Sequence, residues 1–231
     1  MSAEARAAVL DRLRRALGRG RDGSALRRAV EERLAEPHPN LIPVRADLDR
    51  WGRLRLFTAQ AEAVQTTVRR IDRYGSLPRA VASYLRERNL PQQLVMATDP
   101  VLTGIDWSAG MLEVRHGRPQ DADAVGLTTA YAGIAETGTV MLLSAPETPT
   151  TLAFLPETVL VVLTSGRIVR AYEDALRLLR EEHGALPRSI NFVTGPSRSG
   201  DIEQTLQLGA HGPRRLCVLL VDEPGARGTG P

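Results

Sequence analysis

Apolar residues recur at helical spacing near the start of the chain, where Ala7, Leu10, Leu13 and Leu17 share a face and arginines lie opposite. Gly18-Arg19-Gly20 stops that pattern. Ser24 can cap a second helix carrying Leu26, Val30 and Leu34, and Pro37-His38-Pro39-Asn40 then breaks the chain. Both stripes are too narrow to enclose a core, so residues 1–40 read as a helical arm. Asp47–Ala63 is expected to be a helix with Leu48, Trp51, Leu54 and Phe57 turned inward, and Val64–Ile71 a strand. A helix over Leu77–Arg88, with Pro78 in its first turn, and a strand over Gln93–Ala97 repeat the alternation. That rhythm predicts an α/β fold: a mostly parallel sheet flanked by helices.

Further strands are expected at Met111–Val114, Val125–Thr129, Thr139–Leu143 and Thr158–Leu163, and a long helix at Arg167–His183, closed by Gly184. Two more apolar runs, Ser189–Val193 and Leu216–Val221, bracket a turn, a short helix and a second turn. Residues 41–223 thus read as one α/β domain, and 224–231 as a Gly/Pro tail.

Composition removes several chemistries. All 30 basic residues are arginine, which forbids a lysine Schiff base and a P-loop lysine. Anions must be held by arginine, hydroxyls or backbone amides. Cys217 is the single cysteine and lies in an apolar run, so this chain cannot supply the four thiolates of an ordinary iron–sulfur cluster. The four histidines are scattered, with no zinc-like spacing, and no metal site is expected. Residues 1–35 hold nine arginines against five acids and no aromatic residue, which suits a solvated or partner-docking arm better than nucleic acid. No apolar run approaches the about 20 residues of a membrane helix, and Met1–Leu10 lacks a signal-peptide core, so a cytoplasmic location is expected.

Two motifs carry the candidate chemistry. In Thr194-Gly195-Pro196-Ser197-Arg198-Ser199-Gly200-Asp201-Ile202-Glu203, Gly195 frees the backbone and Pro196 stiffens the exit from a strand. Ser197 or Ser199 can cap a helix whose first turn holds Asp201 and Glu203; alternatively, the hydroxyls and Arg198 form an anion or polar-ligand loop. His211, between glycines 209 and 212, can cap its own turn or transfer a proton. In Ala135-Glu136-Thr137-Gly138-Thr139, a carboxylate precedes a glycine turn into an apolar strand, placing Glu136, Thr137, Gly138 and Thr139 where amides can hold a ligand.

These two motifs, in this order and each beside an apolar strand, resemble the lactate-utilisation family called LUD, in its C type, from about Val125 to Asp222. The resemblance implies a fold like the sugar-isomerase and CoA-transferase superfamily and an accessory role in L-lactate oxidation beside iron–sulfur oxidoreductase subunits. The chain departs from the family pattern at Ser199-Gly200, where threonine-alanine is usual, and in lacking an arginine shortly before Leu155-Pro156. Analogy with CoA-transferases makes Glu136 the nucleophile to suspect in a rival reading as an acyl- or CoA-transferring enzyme. A third reading is a non-catalytic docking module. The leading expectation is a small carboxylate or cofactor fragment held between the Glu136–Thr139 turn and the Ser197–Asp201 turn.

Overall fold

The computed structural model describes residues 3–18, 23–36, 41–184, 186–202 and 205–222, without the side chains of residues 3, 199–202 and 205–208. Expectations for Arg19-Gly20, for residues 37–40, for Glu203 and for the 224–231 tail lie outside that range. Contacts divide the chain between Ile42 and Pro43. In the first unit, α1 (Ala3–Ala16) and α2 (Ser24–Ala35) are the two expected helices, and Leu10, Leu13, Leu17, Leu26, Val30 and Leu34 are all exposed.

The second unit begins with α3 (Arg50–Ala63), whose start is set by Asp49: its carboxylate accepts from the Gly52 amide at 2.6 Å. The helix thus starts later than expected, and Leu48 lies outside it and exposed, not inward. Gln65 in a left-handed conformation ends the turn after α3, so β1 (Thr67–Ile71) is shorter than the apolar run suggested. There follow α4 (Leu77–Glu87), β2 (Gln93–Met96), the single turn α5 (Pro100–Thr103), β3 (Glu113–His116), β4 (Val125–Thr129), β5 (Ala132–Ile134), β6 (Thr139–Leu143), β7 (Thr158–Thr164) and β8 (Ile168–Val169). The chain continues through α6 (Tyr172–His183), β9 (Ile190–Val193), β10 (Arg198–Ile202), β11 (Thr205–Leu208) and β12 (Arg215–Val221).

Six strands form a parallel sheet in the order β1-β12-β7-β4-β2-β3. Its central strands are apolar on both faces, as burial on both sides demands. In β12, Leu216, Val218 and Leu220 join one core while Cys217, Leu219 and Val221 join the other, and β7 divides in the same way. On one face α4 supplies Val81, Tyr84 and Leu85, with Trp107 and Leu102 beside them. On the other, α3 supplies Leu54, Phe57 and Ala61, together with Val140 and Leu142 of a second sheet. That sheet, β8-β5-β6-β9, is antiparallel except for β5 against β8, and α6 covers its far side through Ala175 and Leu179.

Two further expectations are corrected. The long helix begins at Tyr172, because Ile168 and Val169 pair with Gly133 and Ile134 as β8. The short helix expected after Ser197 is instead the antiparallel hairpin β10–β11, with Arg198 opposite Leu208 and Ser199 opposite Gln207. Ser199, Gly200 and Asp201 are weak helix formers, and Thr205-Leu206-Gln207-Leu208 alternates with a strand's period of two.

Burial pushes the Cys217 thiol up to about 12. The folded value lies above that of a free thiol, about 8.5, so the associated stability is complete below that pH and declines as pH rises toward the folded value. A thiol-alkylating reagent at pH 8 is therefore expected to modify native protein only at the rate of unfolding, and urea-unfolded protein at once. Rapid native labelling would show that the β12 core opens locally.

Candidate functional site

The turn between β5 and β6 holds Glu136, Thr137 and Gly138, and β9 leaves the same end of the smaller sheet at Thr194. Because β6 and β9 are antiparallel, the start of one lies beside the end of the other, which brings Thr139 against Thr194. Their hydroxyls are 2.6 Å apart. Thr139, fully buried, also shares hydrogen bonds with Thr137 at 2.7 Å and with the Tyr172 hydroxyl at 3.0 Å, and Thr137 donates to Tyr172 at 3.2 Å. Four hydroxyls, from the β5–β6 turn, β6, α6 and the β9 exit, thus join the two motifs. The meeting point is one end of the smaller sheet, not the rim of the parallel one.

The motif glycines have a structural cause. Gly138 (φ +67°) lies so close to the end of α3 that a Cβ would collide with the Ala61 backbone nitrogen. Gly195 (φ +82°) lies against the next turn of chain, where a Cβ would come within 2.6 Å of the Val64 carbonyl oxygen. Arg198 donates to that same carbonyl at 3.3 Å, a cation at a helix C-terminus. Both motifs therefore rest on one helix end.

Beyond Thr194 the chain forms a cleft of about 440 Å³ between Gly195, Ser197, Arg198, His211, Phe154 and Phe192. Its loop is fixed by the Ser197 amide donating to Pro213 O at 2.8 Å and the Gly209 amide donating to Ser197 O at 3.1 Å. Ser197 Oγ accepts from the His211 amide at 3.2 Å, which holds the exposed His211 at the cleft's edge. Among the described residues the lining holds a guanidinium, an imidazole and two hydroxyls but no carboxylate. Such a site favours an anion.

Sequence-derived site residues are thus divided. Gly195, Ser197, Arg198 and His211 line the cleft, and Thr137 and Thr139 reach its Thr194 through hydroxyls. Ser199 and Asp201 lie on β10, with side chains outside the described part. Glu136 does not line the cleft: its carboxylate lies 3.6 Å from the Arg45 guanidinium, and its amide donates to Arg170 O. Arg170 is itself held by Asp174, where burial raises the carboxyl but the hydrogen bond and charge of Arg170 outweigh it, leaving it below the usual range. Tyr172 and Thr194 were not legible as site residues. The spacing of Thr137 and Thr139, two apart at the head of a strand, was the available signal, since such residues point to one face.

The model of the LUD domain matches residues 54–221, which include both motifs and every strand of both large sheets. The chain belongs to the LUD domain family. This LUD domain is 37% identical over 99 residues to lactate utilization protein C of Anoxybacillus flavithermus, covering 43% of this chain and 44% of that protein. It is 32% identical over 121 residues to the protein of the same name from Bacillus subtilis, covering 51% of this chain and 50% of that one. The matches therefore span only about half the length of these relatives. The LUD domain also superposes on a crystal structure of a DUF162 family protein from Deinococcus radiodurans with a TM-score of 0.58, at 23% identity, covering 75% of this chain and 99% of that one. That likeness establishes a shared fold.

Proposed function

We propose that this LUD domain serves a lactate-utilisation system by binding a small carboxylate, lactate or its oxidation product, in the Ser197–Arg198–His211 cleft. The observation that carries the reading is the cationic, carboxylate-free lining of that cleft. Arg198 offers N–H groups beyond the one engaged by Val64, and the His211 ring stands at the edge where a hydroxyl or carboxylate of the ligand can meet it. The names of the relatives, lactate utilization protein C, supply the pathway. In this reading electron transfer is left to separate iron–sulfur oxidoreductase subunits in the cytoplasm, since the one thiol of this chain is buried among β12 neighbours. Among the described residues no helix is long and apolar enough to cross a membrane.

The test is calorimetric titration of the full chain with L-lactate and pyruvate, paired with Arg198→Gln and His211→Asn. A charge-assisted hydrogen bond contributes about 1.5–3 kcal/mol, so Arg198→Gln is expected to weaken binding by about 10- to 100-fold. Equal affinity in the parent and Arg198→Gln proteins would remove the cleft from the reading. Normal growth on L-lactate after deletion of the gene would remove the pathway.

A further inference from the structure

A second cleft, on the other sheet, has the opposite chemistry. In the parallel sheet β2 runs onward to β3 on one side, whereas β4 runs onward to β7 on the other. The adjacent pair β2 and β4 is therefore the switch point, where the connections leave in opposite directions and open a crevice at the carboxyl ends of the strands, the usual ligand position in open α/β sheets. A cleft of about 450 Å³ occupies that position.

Its polar groups come from successive strand ends. Asp99 follows β2, Thr129 ends β4, Thr164 ends β7, and Tyr74 follows β1. The Thr129 hydroxyl donates to Asp99 Oδ2 at 2.6 Å, across the switch point itself, and the Val101 amide donates to Oδ1 at 2.8 Å. A carboxylate has about four acceptor positions, so one on each oxygen remains open to the cleft. Thr164 and Tyr74 share a hydrogen bond of 2.6 Å beside it, and Val101, Ala130 and Val162 provide apolar wall.

Charge decides the class of occupant. Arg167 lines the cleft but is engaged by Glu182 at 2.7 Å and lies over the Tyr131 ring. Among the described residues Asp99 and Glu147, which also line it, have no ion-pair partner. With Arg167 paired to Glu182, the Asp99 and Glu147 carboxylates outnumber the one remaining basic group, the His183 imidazole, so the lining disfavours anions and presents a held carboxylate to hydroxyl donors.

We propose that the β2–β4 switch-point cleft, spanned by the Thr129–Asp99 hydrogen bond, binds an uncharged molecule through adjacent hydroxyls on a ring, as a free sugar or a nucleoside carries them. Asp99 accepts from both hydroxyls, the Thr164–Tyr74 pair hydrogen-bonds the ring substituents, and the apolar wall takes the ring face. The site is separate from the Arg198 cleft and does not depend on the carboxylate reading.

The test titrates the full chain with ribose, adenosine, 2′-deoxyadenosine and AMP, followed by NMR chemical shifts. Saturable binding of adenosine or ribose is expected, at least about tenfold weaker for 2′-deoxyadenosine and for AMP, whose phosphate meets the acidic lining. Binding of adenosine alone identifies a nucleoside, and equal binding of ribose identifies a sugar. Asp99→Asn keeps an oxygen for the Val101 amide and removes the charge, and is expected to weaken binding about tenfold while lactate titration stays unchanged. Val101→Trp, at an exposed position, is expected to block the cleft and serves if Asp99→Asn fails to fold. No saturable response to ribose or adenosine, AMP binding more tightly than adenosine, or 2′-deoxyadenosine equal to adenosine would each overturn the proposal, as would binding that survives the variants.

Discussion

Gly138→Ala is expected to lower the stability of the α/β unit by about 2–5 kcal/mol, with a matching fall in the urea unfolding midpoint. Two costs combine. A non-glycine residue in the left-handed region costs roughly 1–2 kcal/mol, and forcing a methyl group into a close-packed contact costs roughly 1–3 kcal/mol or more. The obstacle here is backbone, the Ala61 nitrogen and the Gln60 carbon, which cannot swing aside as a side chain would. Gly184 provides the control. It has almost the same φ, +61°, but a Cβ there meets nothing within 4 Å. At ψ −34° it lies outside the left-handed well, so Gly184→Ala is expected to show a backbone conformational cost with no steric clash. If the two variants melt alike, close approach to α3 is not what the β5–β6 turn requires.

Phe57→Ala is the second large effect, about 3–5 kcal/mol, because it deletes a fully buried ring from the core between the two sheets. The ring lies over Gly133 of β5, where a Cβ would come within 3.1 Å of its edge. No neighbouring backbone can fill the space, since β5 is already fixed by β6 and β8. Phe57 also holds α3 against the sheets, and α3 ends in the residues on which Gly138 and Gly195 rest. The Phe57→Ala and Gly138→Ala costs are consequently expected to be non-additive, with the double variant losing less than their sum. Equilibrium urea unfolding measures both; a Phe57→Ala cost under about 1.5 kcal/mol would mean that the core collapses onto the gap.

The sequence made the parallel sheet legible because its strands are buried on both faces and read as unbroken apolar runs, Val159–Leu163 and Leu216–Val221 being the plainest. The smaller sheet was harder. β5 is Ala-Gly-Ile and β8 only Ile-Val, too short for either to show a period, and their pairing comes from partners 35 residues away in the register Gly133 to Ile168. The β10–β11 hairpin was masked by serine and acidic residues that suit a helix start equally well. Within the motifs, Ser197, Arg198 and His211 were readable as a polar group, whereas the glycines suggested ligand approach and in fact admit a neighbouring helix end. Thr129 was readable only as a hydroxyl upstream of the Glu136 turn, and Asp99 and Thr164 carried no signal at all. Only strand order brings them to one crevice.

That strand order also fixes when the fold can be completed. The last of the described strands, β12, is not an edge addition: it inserts between β1 and β7 and supplies residues to both cores. Until residue 221 clears the exit tunnel, β1 lacks its sheet neighbour and β7 shows an open apolar flank, so the sheet stays unsealed on that side. A fragment ending before residue 215 is therefore expected to aggregate, because it leaves both cores open along β7.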